Sequence, residues 1–219
     1  MKTWRPPASG MTHGLALICV GLLVVPMLLG ASRAVTLQWG LVPARITGEV
    51  IGLSGPPPLL TLVSHIFLHG GFFHLLMNML FLLWIGRQME WLIGPVRLLL
   101  LFLLGGIAGG LTQILFDPGS TIPVVGASGA VSALFATYAL LFARSDESPA
   151  RVLGITLSAE TVRALRYAAL WIGLQLLVAV AFNTPGGPGI AIWAHIGGFI
   201  AGLLFGLPWV WRRNGGVSR

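Results

Sequence analysis

Charged residues and cysteine are both scarce in this chain of 219 residues. Only 9% of the residues are Asp, Glu, Lys or Arg, whereas 56% are hydrophobic. The one cysteine, Cys19, excludes an internal disulfide and a metal cluster held by several thiolates. So few charges on so apolar a chain indicate an integral membrane protein.

Acidic residues are scarcer than basic ones, which gives a formal net charge of +7. A basic chain is a candidate for nucleic-acid binding, but here the Lys and Arg residues flank apolar segments. That placement is typical of residues that set membrane orientation. We therefore expect a lipid bilayer, and no nucleic acid, as the surroundings of this protein.

The apolar segments are long enough to cross a bilayer, which takes about 17 to 25 residues. They predict an all-α, polytopic membrane protein with six transmembrane helices. The predicted spans are 13–31, 72–85, 96–116, 124–143, 165–182 and 190–211. We interpret 13–211 as one domain, with cytoplasmic tails at 1–12 and 212–219, and the first span as an anchor although it resembles a cleaved signal.

The distribution of basic residues predicts the orientation of these spans. If the N-terminus is cytoplasmic, all basic residues except Arg33 and Arg45 fall on the cytoplasmic side, as the positive-inside rule requires. Both termini are then cytoplasmic. The starts of spans two, four and six face the opposite side of the membrane.

Polar side chains are concentrated near those three outward starts. Ser128 and His195 are expected about 6 to 8 Å below the starts of spans four and six, at 1.5 Å per residue. His74 and Asn78 lie one helical turn apart near the start of span two. Ionisable groups inside a membrane indicate a functional site, although a lone serine in a span more often bonds a backbone carbonyl.

Small residues indicate which of these helices pack closely. Gly198 and Gly202 lie below His195 on one face of span six, and Gly129 with Ala133 supplies a matching surface on span four. We expect the two backbones to approach until Ser128 reaches His195. The four glycines of span three are interpreted as helix-packing residues.

A serine hydroxyl beside a histidine is the arrangement of a nucleophile and its general base. The acidic residues are all expected in loops or at the ends of spans, so a Ser-His dyad is favoured over a triad. The acidic residues are Glu49, Glu90, Asp117, Asp146, Glu147 and Glu160. His65, His69 and His74 could act as metal ligands, but no carboxylate or cysteine joins them, so we expect no metal and no cofactor.

Three sequence motifs, which contain Asn78, Ser128 and His195 and follow one another in that order, resemble those of the rhomboid intramembrane serine proteases. Gly126-Ala127-Ser128-Gly129 is similar to the family's nucleophile motif, and the stretch from Ala194 to Gly202 is similar to its base-bearing helix. The run from His69 to Met79 resembles the second span of the family. The resemblance covers about residues 13–211.

The resemblance implies a role for each site residue. Ser128 would be the nucleophile and His195 the general base. His74 and Asn78, with the backbone N–H of Ser128, would stabilise the oxyanion. The implied reaction is hydrolysis of peptide bonds in or beside the transmembrane helices of other membrane proteins.

The implied location is the plasma or inner membrane, with the site facing the periplasm or exterior. The turn at 183–189 is interpreted as a mobile cap over that site. Two alternatives stay open: a catalytically inactive rhomboid-like protein that binds transmembrane helices, and a transporter, which would need broken spans and buried charges.

The sequence departs from the family pattern at two places. Leu60-Thr61 stands where many members have Trp-Arg in the loop before the second span, which affects how that loop sits in the outer leaflet. Ser132 stands where the family commonly has an aromatic that stacks on the catalytic histidine. Neither change removes a group that the reaction requires.

Overall fold

The structure is a computed structural model that describes residues 9–50, 52, 54–142, 149–152, 154–182 and 191–214. Within these residues the regular secondary structure is helical apart from one short hairpin and one isolated β-bridge. The helices are α1 (Gly10–Leu28), α2 (Ser32–Trp39), α3 (Pro43–Ile46), α4 (Thr61–Ser64), α5 (Phe72–Ile93), α6 (Pro95–Phe116), α7 (Ser128–Phe142), α8 (Ala159–Phe182) and α9 (Ile192–Asn214), with single 3₁₀ turns at Pro58–Leu60 and His65–Phe67. The antiparallel hairpin pairs β1 (Ala150–Val152) with β2 (Ile155–Leu157).

Three helices of the described chain are long and apolar enough to cross a membrane by length and composition. They are α1, of 19 residues, and α5 and α6, of 22 residues each. The apolar parts of α7 and α9, Ser128–Leu141 and Ile192–Pro208, are shorter. The helical membrane fold is therefore clear, whereas the count of six spans stays a prediction. The expected cap at 183–189 lies outside the described residues.

Helix α5 is longer than the sequence analysis expected. We predicted an end at Ile85, before Arg87, but the helix continues to Ile93 with the Arg87 side chain exposed. Gly94, at a φ of 83°, and Pro95 at the first position of α6 are what end it. A glycine and a proline stop a helix, whereas one exposed charge on its surface does not.

Glu90 lies in the last turn of α5, at the end of a span as expected, but its side chain is buried inside the fold. Its side chain is buried and accepts hydrogen bonds from Met11 N at 3.0 Å, Thr12 N at 2.8 Å and Thr12 Oγ1 at 2.7 Å. The first N–H groups of a helix have no partner within it. The Glu90 carboxylate therefore caps α1 and joins it to α5.

Helix α7 begins later than the predicted start of span four at residue 124. Val124 instead pairs with Leu41 in an isolated β-bridge, and Gly126 N donates to His65 O at 2.9 Å. Gly126 has a φ of 130°, which favours glycine. Ser128 is consequently the first residue of α7. The sequence had predicted a position about one turn inside the helix.

Helices α7 and α9 approach to backbone contact at their glycines. A Cβ atom built on Gly198 would lie 2.0 Å from Gly129 O, and one built on Gly202 would lie 2.2 Å from Ala133 O. Only hydrogen fits in so small a gap. The close approach brings the N-terminal ends of α7 and α9 together.

The glycines of α6 serve the same packing from the other side. A Cβ atom on Gly105 would lie 2.3 Å from Ala133 Cβ, and one on Gly109 would lie 2.5 Å from Ala194 O. Helix α6 thus packs against both α7 and α9. The positions of Ser128 and His195 are fixed by this three-helix core.

Candidate active site

Ser128 and His195 meet where α7 and α9 begin. Ser128 is the first residue of α7, and His195 lies in the first turn of α9. Their side chains are joined by a hydrogen bond of 2.7 Å between Ser128 Oγ and His195 Nε2. Ser128 is half-buried and His195 is buried. A hydroxyl that donates to a neutral imidazole is the arrangement in which a base can remove the serine proton.

The other ring nitrogen of His195, Nδ1, shows whether a third residue joins the pair. If Nε2 accepts from Ser128, the neutral ring carries its proton on Nδ1. Nδ1 is buried and has no hydrogen-bond partner among the residues that the structure describes. Within that part of the chain, no carboxylate orients the imidazole as the third member of a triad would. The geometry here is that of a two-residue pair.

His74, at the start of α5, lies beside the pair. A Cβ atom on Gly126 would lie 2.7 Å from His74 Cε1, 2.8 Å from His74 Nε2 and 3.6 Å from Ser128 Oγ. Gly70 N donates to His74 Nδ1 at 3.3 Å, which assigns the proton of the neutral ring to Nε2. The Nε2–H donor of His74 therefore lies next to Gly126, close to the serine.

Asn78 lies one turn further along α5. It is buried, and its Nδ2 donates to His74 O at 2.9 Å. The amide is thus tied to its own helix, beneath the histidine. Its participation in chemistry at Ser128 stays a prediction.

The start of α7 adds backbone donors to the same place. The first N–H groups of an α-helix have no intrahelical acceptor, and they carry the positive end of the helix dipole. Because Ser128 is the first residue of α7, its N–H belongs to this set. Donors of this kind stabilise developing negative charge.

Two residues near Ser128 form a contact that sequence spacing did not indicate. Ser132 Oγ donates to Ser128 O at 2.8 Å and accepts from Trp171 Nε1 at 3.2 Å. The partners Ser132 and Trp171 are 39 residues apart. Neither hydropathy nor a motif predicts that this indole of α8 reaches α7.

The loop before α5 is held by Arg45 and by Thr61, one of the two residues that depart from the family pattern. Arg45 is nearly buried, and it donates to Gln38 O at 3.0 Å and to Pro56 O. Thr61 is buried and donates to Pro58 O at 2.5 Å, whereas the Leu60 side chain is 54% exposed. The guanidinium of Arg45, which the sequence indicates only as a charge outside the membrane, joins the end of α2 to the loop at Pro56.

Two further histidines, His65 and His69, are buried before the start of α5, and the ring of His69 contacts that of His74. Burial lowers the pKa of His65 to about 4, and burial together with nearby His74 lowers the pKa of His69 to about 3. His65 Nδ1 donates to Thr61 O at 2.8 Å. Both rings are therefore neutral at pH 7 and act as packed, hydrogen-bonding groups.

In this apolar helical fold, a serine and a histidine are hydrogen-bonded between two packed helices. The arrangement is typical of membrane proteins with a hydrolase-like site. Comparison with known families matches residues 56–212 to the rhomboid domain. This protein is an integral membrane protein and belongs to the rhomboid family.

Individual relatives support this membership. RHOMBOID-like protein 4 of Arabidopsis thaliana is 37% identical over 162 residues, which cover 70% of this chain and 37% of the relative. RHOMBOID-like protein 1 of the same plant is 37% identical over 153 residues, which cover 69% of this chain and 34% of the relative. Rhomboid protease GlpG of Yersinia pestis is 28% identical over 204 residues, which cover 93% of this chain and 64% of the relative. The chain thus spans little more than a third of the Arabidopsis relatives.

Proposed function

We propose that this protein is an intramembrane serine endopeptidase that acts through a dyad of Ser128 and His195. The observation that carries the proposal is the 2.7 Å hydrogen bond from Ser128 Oγ to His195 Nε2. Membership of a family that contains a named protease supports it. Peptide hydrolysis needs a nucleophile, a base and an oxyanion site, and the described residues offer a candidate for each.

The reaction begins when His195 Nε2 takes the Ser128 proton as Oγ attacks the carbonyl carbon of the scissile peptide bond. The C–N bond then breaks, and the imidazolium returns the proton to the leaving amine. An acyl group remains on Ser128. Water, deprotonated by the same ring, releases it as a carboxylic acid and restores the serine.

The oxyanion of the tetrahedral intermediate is stabilised by donors that converge near Ser128. We assign this role to His74 Nε2–H, whose tautomer is set by the Gly70 N–H bond, and to Ser128 N–H at the start of α7. Asn78 contributes its amide or, by bonding His74 O, holds the segment that carries the histidine. No cofactor and no metal enter this scheme.

The substrates we propose are transmembrane helices of other membrane proteins, cut within or next to the bilayer. Residues 13–211 form one six-span protease domain with cytoplasmic tails at 1–12 and 212–219. The domain lies in the plasma or inner membrane, with Ser128 on the periplasmic or exterior side. The exposed apolar side chains of α1 and α6, such as Leu28 and Leu115, suit contact with lipid.

Cleavage of a model transmembrane substrate by purified protein in liposomes tests the proposal. The native chain is compared with Ser128→Ala and His195→Ala, and matched controls are Ser54→Ala and His13→Ala, which replace exposed residues of the same types. We expect the native chain and both controls to cut, and the two dyad variants to lose cleavage by at least about a thousandfold.

Two results would overturn the proposal. Cleavage by Ser128→Ala would show that another residue is the nucleophile. Binding of several transmembrane substrates without cleavage of any would favour the inactive, helix-binding alternative.

A further inference from the structure

We propose that Trp171, on α8, is a positioning residue for the nucleophile, acting through Ser132. The inference rests on the proposed function of Ser128. It begins from a chain of two hydrogen bonds, from Trp171 Nε1–H to Ser132 Oγ and from Ser132 Oγ–H to Ser128 O. No motif in the sequence includes Trp171.

The direction of both bonds follows from the chemistry of the groups. An indole N–H can only donate, so the Ser132 oxygen must accept from it. The hydroxyl has one hydrogen, and that hydrogen is directed to Ser128 O at 2.8 Å. Ser132 is fully buried and Trp171 is 4% exposed, so the bond between the indole and the hydroxyl is shielded from water. The two bonds therefore have one consistent arrangement.

The Trp171 indole is itself held in place by aromatic neighbours. Its ring stacks on Phe135 of α7, with centroids 4.7 Å apart and planes at 24°. Its contact with Phe81 of α5 is edge-on, with centroids 5.7 Å apart and planes at 88°. Both geometries are favourable for aromatic pairs. The N–H donor thus reaches Ser132 from a ring fixed by two other helices.

The consequence for Ser128 follows from its place at the end of a helix. The N–H of the first residue of a helix has no acceptor within the helix, whereas its carbonyl accepts from the N–H four residues further on. The Ser132 hydroxyl gives the Ser128 carbonyl a second donor beside that backbone bond. Fixing the Ser128 carbonyl fixes the peptide plane that follows its Cα atom, and with it the direction from which Oγ reaches His195. In this chain the hydroxyl at 132 and the indole of α8 supply that support, where an aromatic at 132 would have stacked on the histidine.

The test separates positioning from packing by removing single polar groups. Trp171→Phe keeps an aromatic ring for Phe135 but removes the N–H, and Ser132→Ala removes the hydroxyl. The control is Trp91→Phe, the same substitution at a side chain that is 62% exposed. The full-length chain in detergent is used for each variant, after thermal unfolding has shown it to be folded.

Two reactions are measured. One is cleavage of a model transmembrane substrate, which gives kcat and KM, and the other is the reaction of Ser128 with a small soluble fluorophosphonate, which gives a rate. The second reports serine reactivity without entry of a helix from the bilayer. We expect each variant to lower kcat and the fluorophosphonate rate by about fivefold, the effect of one neutral hydrogen bond, with KM unchanged. The double variant should be no slower than the slower single variant, because both changes break one chain.

The possible failures are distinguishable. If the native chain neither cuts nor reacts with the fluorophosphonate, the proposed function fails and this inference fails with it. If the native chain does both, and Trp171→Phe reacts as fast as Trp91→Phe, the inference alone is overturned. A double variant whose two effects multiply would also overturn it, because the residues would then act independently.

Discussion

A methyl group at Gly198 tests how closely the site depends on helix packing. The Cβ atom of Gly198→Ala would lie 2.0 Å from Gly129 O and 3.0 Å from Gly129 Cα. A carbon and an oxygen in contact need about 3.3 Å. Both clashing atoms belong to the backbone, so no rotamer change relieves the contact. Helix α9 must move away from α7 by roughly 1.3 Å, the difference between the two distances.

That movement acts directly on the dyad. The 2.7 Å bond between Ser128 Oγ and His195 Nε2 joins the same two helices, close to Gly198. A shift of about 1 Å takes it beyond the range of an effective hydrogen bond, which ends near 3.2 Å. Misplacement on this scale costs about a hundredfold in rate. Overpacking also lowers the free energy of unfolding, by about 1 to 3 kcal/mol.

The assay compares cleavage rates and thermal unfolding of Gly198→Ala and Gly206→Ala in one detergent. Gly206 is a matched control on the same helix, because the one close contact of its added Cβ is with the flexible end of the Leu140 side chain, at 2.9 Å, and not with backbone. We expect Gly206→Ala to cut at close to the native rate. If Gly198→Ala is folded and cuts as fast as Gly206→Ala, the reasoning from helix approach to dyad geometry is wrong.

Three further predictions concern residues around the core. Glu90→Gln removes the carboxylate that caps α1, and should lower the free energy of unfolding by about 1 to 3 kcal/mol while the folded fraction cuts normally; an unchanged melting temperature would refute the cap. Gly126→Ala should abolish cleavage, because its Cβ meets His74 at 2.7 Å and its φ is 130°, and native-like activity would contradict that. Because burial lowers the pKa of His65 from 6.5 to about 4, the folded chain resists protonation that the unfolded chain accepts. The free energy of unfolding should be highest above about pH 6.5 and fall as the pH drops towards 4, as measured by thermal unfolding. His65→Gln should weaken that pH dependence, and a pH profile identical to that of the native chain would refute the assignment to His65.

The membrane class and much of the helical fold followed from apolar segments and glycine spacing. Long apolar runs predict helices because a backbone in lipid must satisfy its hydrogen bonds internally. The spacing of Gly198 and Gly202 predicted a face on which two backbones approach, and the structure has both at backbone contact with α7. These features depend on local periodicity, which a sequence displays directly.

The start of α7 and the end of α5 were not predictable in the same way. The start of α7 at Ser128 depends on a bridge between Val124 and Leu41, which are far apart along the chain. The continuation of α5 past Arg87 depends on whether that side chain reaches an exposed position. The start of α7 is thus set by a distant contact, whereas the end of α5 is set locally by Gly94 and Pro95, a signal that Arg87 obscured.

The polar contacts around the site are the part that sequence described least. His74 was expected near Ser128, but its tautomer depends on the Gly70 N–H bond. The contact of Trp171 with Ser132 depends on how α8 packs. Such hydrogen bonds carry no periodic signal along the chain, because they depend on how distant elements pack.

Covalent trapping of the serine tests the central claim most directly. The full chain in detergent is treated with a fluorophosphonate, digested, and analysed by mass spectrometry to locate the adduct. The account predicts one adduct, on Ser128, formed by the native chain and lost in His195→Ala, since the base in contact with Oγ activates it. An adduct that forms equally fast without the imidazole, or that lies on another serine, would contradict the dyad.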